Sequence, residues 1–214
     1  MIMKTSTIIL SLLAVLFFGA FSAFGEDATN YNNSGYAKIV KGDLDGALAD
    51  YNKAIELEPA YADAYNNRGA VKYEKGDLDG ALADCNKAIQ LNPKAAYAYV
   101  ARGLVKRAKG DLEGAMTDYN KAVEIQPGLA QAYYGRGFVK QIKGDMDGAL
   151  ADCNKAIKLK SDYADAYYYR GSLKQDKGDT NGAQSDFKKA IELNPKFRVQ
   201  IEAKSYLTNG TITN

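Results

Sequence analysis

The segment KGDLDGALAD, from Lys41 to Asp50, constrains this chain more than any other feature, because close copies of it return every 34 residues. Lys41-Gly42-Asp43 is followed by Lys75-Gly76-Asp77, Lys109-Gly110-Asp111, Lys143-Gly144-Asp145 and Lys177-Gly178-Asp179, with no insertion or deletion between them. A period of this length marks stacked supersecondary units. Each unit buries its apolar face only against its neighbours, which gives an extended array in place of a closed globule. Function is bounded by the same fact. A residue repeated in every unit serves the architecture, whereas a single active site would need residues that occur once.

The period resolves into columns. The units begin at Ala28, Ala62, Ala96, Ala130 and Ala164, and the fourth residue of each is Tyr31, Tyr65, Tyr99, Tyr133 or Tyr167. The eighth is Gly35, Gly69, Gly103, Gly137 or Gly171, and the twentieth and twenty-seventh are alanine, as at Ala47 and Ala54. The twenty-fourth is Tyr51, Cys85, Tyr119, Cys153 or Phe187, and Pro59, Pro93, Pro127, Ser161 or Pro195 stands near the end. These columns resemble the tetratricopeptide repeat over residues 28–197, in units 28–61, 62–95, 96–129, 130–163 and 164–197. The resemblance implies an all-α fold, a right-handed α-solenoid of antiparallel helix pairs. Two columns depart from the family pattern. Ser34, Arg68, Arg102, Arg136 and Arg170 stand where Leu is common, and Lys38, Lys72, Lys106, Lys140 and Lys174 where Tyr is common.

The helices also follow from the residues alone. In the second half of unit two, Leu78, Ala81, Leu82, Cys85, Ala88, Ile89 and Leu91 form an amphipathic helical stripe. Gly76 suits a left-handed C-terminal cap of the helix before it. Asp77 is placed as N-cap of the next helix, with Asp79 in its first turn where the dipole favours negative charge. Pro93 cannot continue that helix. The glycine column Gly46, Gly80, Gly114, Gly148 and Gly182 runs against propensity, since glycine early in a helix costs up to about 1 kcal/mol against alanine.

The ends differ from the array. Residues 1–25 carry Lys4, an apolar run from Ile8 to Phe18 broken only by Ser11, and small residues at Ala23 and Gly25 ahead of Glu26, the pattern of a secretory signal peptide. The competing reading is an uncleaved membrane anchor, because the apolar stretch reaches Phe24 and is nearly long enough to span. Either reading puts the array outside the cytoplasm, periplasmic or extracellular. Residues 198–214 are read as a capping helix and a short tail, with an apolar stripe through Val199, Ala203 and Tyr206 beside Phe197 and Ile201. Asn32-Asn33-Ser34 and Asn209-Gly210-Thr211 match the glycosylation acceptor pattern. The two cysteines, Cys85 and Cys153, share one column two units apart, which places them too far apart for a disulfide. They are expected as small buried residues.

Several chemistries find no support. There is no histidine, and two distant cysteines do not build a zinc site. No phosphate-binding glycine loop occurs, and the Asp-Leu-Asp runs lack a calcium ladder. No catalytic, cofactor or metal residue is assigned. Net charge is only +2, with both signs interspersed, so nucleic acid is not an expected partner. The repeated Asp50, Asp84, Asp118, Asp152 and Asp186 predict a ladder of Arg–Asp pairs between packed helices. Pairing within each unit would leave Asp50 without an Arg, and pairing with the preceding unit would leave Asp186.

What varies is the set of positions that, by the resemblance, point into a concave groove: the second, fifth, ninth, twelfth and thirteenth of each unit. They give Asp63, Asn66, Ala70, Tyr73 and Glu74 in unit two, then Tyr97, Val100, Leu104, Arg107 and Ala108. Unit four supplies Gln131, Tyr134, Phe138, Gln141 and Ile142, and unit five Asp165, Tyr168, Ser172, Gln175 and Asp176. The candidate partner-binding residues are therefore Asn66, Tyr97, Arg107, Tyr134, Phe138 and Tyr168, with tyrosine suited to anchoring. The expected partner is a protein or peptide, apolar or aromatic with basic flanks. A clamp for acidic chaperone tails is disfavoured, because its matching positions read Asn32, Tyr36, Asn67, Tyr97 and Ala101. The leading reading is an exported, non-enzymatic scaffold. The alternative is a structural envelope component tethered by the N-terminal segment.

Overall fold

The computed structural model describes residues 27–208, which form α-helices and turns and no strand. The proposed signal peptide at 1–25 and the tail at 209–214 lie outside the described residues. The chain divides into two compact units between Pro93 and Lys94. The first holds α1 (Ala28–Val40), α2 (Leu44–Leu57), α3 (Ala62–Glu74) and α4 (Leu78–Leu91). The second holds α5 (Ala96–Ala108), α6 (Leu112–Ile125), α7 (Ala130–Ile142), α8 (Met146–Leu159), α9 (Ala164–Asp176), α10 (Thr180–Leu193) and α11 (Phe197–Thr208). Each repeat is one helix pair, and within each unit the second helix of a repeat also packs on the first helix of the next. This is the all-helical repeat architecture that the period implies.

The Lys-Gly-Asp column makes the turn inside each pair. Gly76 and Gly144 take φ of 84° and 86°, a left-handed conformation that a side chain disfavours. The Asp77 N–H then reaches back to the Lys72 carbonyl at 2.9 Å, which closes the first helix as a Schellman motif. Asp77 next caps the second helix, its Oδ1 accepting from Gly80 N at 2.9 Å. The same cap recurs at Asp43, Asp111, Asp145 and Asp179. It also explains the unfavourable glycine column. A Cβ on Gly46, Gly80, Gly114, Gly148 or Gly182 would overlap the capping carboxylate three residues before it.

The core is made of alanines and a few large groups. Ala47, Ala81, Ala115, Ala149 and Ala183 are buried, as are Ala54, Ala88, Ala122, Ala156 and Ala190. The twenty-fourth column decides how the space beside the eighth-column glycine is filled. In repeat three, Tyr119 from α6 fills it, with a ring atom 2.9 Å from where a Cβ on Gly103 would stand. The same ring would overlap a Cβ on Gly135 of α7, so only glycine fits there. In repeat four the column holds the buried Cys153, and the space is filled from the next repeat. Tyr169 of α9 comes within 3.7 Å of the corresponding point at Gly137, and its hydroxyl donates to Gln141 Oε1 at 2.8 Å. Neither Cys85 nor Cys153 is in a disulfide, and both are buried, as expected.

The charge ladder forms within each repeat. Arg68 binds Asp84 through Nε and Nη2 at 2.8 and 2.6 Å, and Arg102–Asp118, Arg136–Asp152 and Arg170–Asp186 repeat this two-pronged geometry. The departing lysine column joins the same carboxylates, Lys72, Lys106, Lys140 and Lys174 lying 2.8–2.9 Å from their aspartates. Each arginine also lies over the fourth-column tyrosine, 5.2–5.5 Å from the ring centroid. Asp50 is therefore the aspartate without an arginine, and Lys38 pairs with it at 2.7 Å.

One expectation at the C-terminal end is corrected. Val199 does not begin the buried stripe of the cap: it is 72% exposed, while Phe197 is buried and Ile201 packs with it on Ala164 and Ala190. The helix starts at Phe197, so the i, i+4 pair facing the core is 197 and 201. Ala203 and Tyr206 lie beyond the described side chains. At the other end, Asn32 is buried and accepts a hydrogen bond from Asn67 Nδ2 at 2.9 Å.

Candidate partner-binding cleft

The second unit carries an apolar cleft of about 200 Å³. Val100, Leu104 and Arg107 of α5 form one wall, at successive helical turns. Gln131, Tyr134 and Phe138 of α7 form the floor, with Gly135 beside them. Tyr119 closes it from α6, and Tyr163, just before α9, closes the far side. Six of these residues, three on each first helix, come from positions that vary between repeats. The alanine, glycine and aspartate columns that build the fold contribute none of them. The volume is that of a single large side chain rather than of a drug-sized ligand.

Aromatic packing fixes the floor. Phe138 stacks on Tyr169 with centroids 3.7 Å apart and planes at 8°. Tyr134 meets Phe138 and Tyr169 edge-on at 5.0 and 5.9 Å and touches Tyr163 at 5.1 Å. The Arg107 guanidinium sits 4.8 Å from the Phe138 centroid. Burial pushes the Tyr134 phenol up, with Asp165 and Tyr163 adding to the effect and Arg107 opposing it. The Tyr163 and Tyr169 phenols are also raised, again chiefly by burial. These rings stay neutral hydrogen-bonding groups throughout the physiological range.

The six candidate residues do not form one surface. Arg107, Tyr134 and Phe138 come together in the cleft. Tyr97, in the first turn of α5, is 53% exposed and is not part of the lining. Tyr168 stacks on Phe197 at 4.9 Å and lies 5.8 Å from Phe187, so it packs under the C-terminal helix. Asn66 belongs to α3 of the first unit, where its Oδ1 is enclosed and accepts no hydrogen bond among the described residues. Tyr119, Gly135 and Tyr163 were not candidates by position. A signal for Gly135 existed: the sixth column reads Asn33, Asn67, Ala101, Gly135 and Tyr169, with glycine directly after a unit that holds Tyr119. Among the described residues, no three His, Cys, Asp or Glu side chains are grouped to hold a metal.

Comparison with known proteins agrees with this architecture. Residues 35–76, 103–141 and 142–178 match a family described as TPR repeat, and residues 62–95 and 164–197 match families described as tetratricopeptide repeat. No curated protein matches the chain. Among solved structures, TTC0263, a thermophilic TPR protein of Thermus thermophilus, aligns with a TM-score of 0.74 at 22% identity, over 85% of this chain and 99% of that one. At that identity it speaks for the fold alone. YrrB, described as a TPR protein with an unusual peptide-binding site, aligns with a TM-score of 0.57 at 26% identity, over 88% of this chain and 97% of that one. The first TPR of Spaghetti (RPAP3), bound to the HSP90 peptide SRMEEVD, aligns with a TM-score of 0.53 at 26% identity, over 55% of this chain and 94% of that one.

Proposed function

The chain belongs to the tetratricopeptide-repeat family, and from that premise we propose that it is an exported, non-enzymatic scaffold that docks a protein segment in the cleft of its second unit. Family membership supports the role of a protein-interaction scaffold. The observation that carries the finer reading is the composition of the cleft: an apolar, aromatic-floored recess built from the positions that the repeat leaves free to vary. YrrB, with its peptide-binding site, lends support by likeness. An acidic peptide such as the one bound to Spaghetti is not the preferred class, since the clamp positions for such tails hold no cation here. The occupant instead offers an aromatic or long aliphatic side chain, with basic residues toward Asp165 and Asp176. Export rests on residues 1–25; among the described residues no helix is long and apolar enough to cross a membrane.

The test is selection from a displayed random-peptide library, repeated against Leu104→Trp, which fills the cleft without deleting a packing ring. The proposal expects recovered peptides to share an apolar anchor and to lose binding to the filled variant. Peptides that lack the anchor, or that bind both proteins equally, would sink it. Export is checked separately by N-terminal sequencing of the mature protein, with a start near Glu26 expected and an intact Met1 contradicting cleavage.

A further inference from the structure

We infer that the cleft is electrically polar, and that its occupant carries a carboxylate on the Arg107 side of the apolar anchor and a cation on the α9 side. This rests on the docking reading above and departs from the sequence expectation in one respect, since basic flanks on both sides are no longer the best match. Three observations carry it. Arg107 lines the cleft with its guanidinium over the ring of Phe138 and its charge acting on the Tyr134 and Tyr169 phenols, and it forms no ion pair among the described residues. Every repeat-column arginine, by contrast, is committed to an aspartate. A guanidinium over an aromatic face keeps its N–H edge free to bind a carboxylate in a two-pronged way.

The α9 side has the opposite sign. Asp165 stands in the first turn of α9, two residues after Tyr163 of the lining, and Asp176 is the last residue of that helix. Both are exposed and neither is in an ion pair among the described residues. Asp165 acts on the Tyr134 and Tyr163 phenols and Asp176 on the Tyr169 phenol, so both carboxylates bear on the aromatic floor, and Lys160 lies 5.3 Å from the Tyr163 centroid. Arg107 lies in the last turn of α5 and Asp165 in the first turn of α9, with the apolar floor of α7 between them in chain order. A recess that admits one side chain brings the flanking residues of an extended segment close to both edges. Charge complementarity at such edges sets partner choice more than raw affinity.

The experiment compares three acetylated, amidated peptides of equal length around a central Phe-Leu pair. They carry Asp before and Lys after it, Lys on both sides, or Asp on both sides. Fluorescence anisotropy at low salt is expected to rank the mixed peptide tightest, by roughly three- to tenfold. Arg107→Glu is expected to make the doubly basic peptide tightest, and added salt to compress the ranking. Equal binding of the mixed and doubly basic peptides to the wild type, or an unchanged order with Arg107→Glu, overturns the polar assignment while leaving the docking site standing. Failure of all three peptides to bind overturns the site, and this inference with it. Leu104→Trp separates the cases, because specific binding at the cleft must weaken in that variant whatever the charge ranking.

Discussion

Arg136 holds Asp152 through two nearly parallel hydrogen bonds, Nε to Oδ2 at 2.9 Å and Nη2 to Oδ1 at 2.7 Å, while Lys140 reaches the same carboxylate at 2.9 Å. The Asp152 side chain is 5% exposed, so two cations share one buried anion. Asp152→Ala leaves both without their anion, with only neutral partners such as Asn120 for Arg136 and the Gly148 carbonyl for Lys140, and is expected to cost about 3–5 kcal/mol. Asp50→Ala releases one cation, Lys38, which is 35% exposed, together with the Ser34 hydroxyl, and is expected to cost about 1 kcal/mol or less. Thermal melts of the two variants check this, and equal losses would contradict the ladder as a source of stability.

The filling of the space beside Gly137 predicts a coupled pair. Cys153→Tyr places a second ring where Tyr169 already lies and is expected to cost about 1–3 kcal/mol. Adding Tyr169→Gly recreates the arrangement of Tyr119 with Gly135 and is expected to recover most of that loss. Strictly additive losses in the double-mutant cycle would show that the two rings do not compete for the same space.

The capping geometry predicts a change of sign. Gly148→Ala gains helix propensity worth up to about 1 kcal/mol but displaces the Asp145 carboxylate, a cap worth about as much. It is expected to be neutral or destabilising in the wild type and stabilising in Asp145→Ala. The same gain in both backgrounds would mean that steric overlap does not explain the glycine column.

Buried phenols and a buried thiol predict loss of stability in base. Burial, with Tyr36 and Asp50 adding, raises the Tyr51 hydroxyl from 10.0 to about 12. Burial, with Asp152 and Asp186 adding and Arg170 opposing, raises the Cys153 thiol from 9.0 to about 12. In both cases the folded state holds the proton more tightly than the unfolded state. Their stabilising contribution is complete below the ordinary values and is lost as pH rises through about 12. Asp50 acts at the other end of the scale. Its burial works against ionisation, but Lys38 and Ser34 outweigh it and hold the carboxyl below 3.8. That contribution is present above 3.8 and is lost as pH falls through the lowered folded value. Melting temperature should therefore form a plateau that drops from about pH 9 upward and again in acid, and a flat profile to about pH 12 would contradict the burial argument.

The repeat columns carried most of the architecture because both partners of each contact recur. Lys72, Gly76 and Asp77 lie close in sequence, so their turn could be read locally. Arg68 and Asp84 repeat together, and only the choice between own and neighbouring repeat depends on how the helices pack. The glycine column at Gly46 was opaque, because the reason for it is an overlap with a side chain whose rotamer the sequence does not state. Tyr134 and Tyr168 occupy the same repeat position yet differ in role. One faces the cleft, and the other meets Phe197 of the terminal helix, a neighbour that lies outside the period. Tyr134 and Phe138 are also packing residues through Tyr169, so their replacement by alanine would disturb stability as well as binding.

The most direct measurement is amide shift mapping of the isotope-labelled protein titrated with the mixed Asp and Lys peptide. Saturable shifts are predicted at Val100, Leu104, Gln131 and Phe138, on the facing first helices α5 and α7, and they should disappear in Leu104→Trp. Saturable shifts confined to α1–α4 or to the second helices α6, α8 and α10, or no saturable shifts at all, would contradict the cleft of the second unit as the docking site.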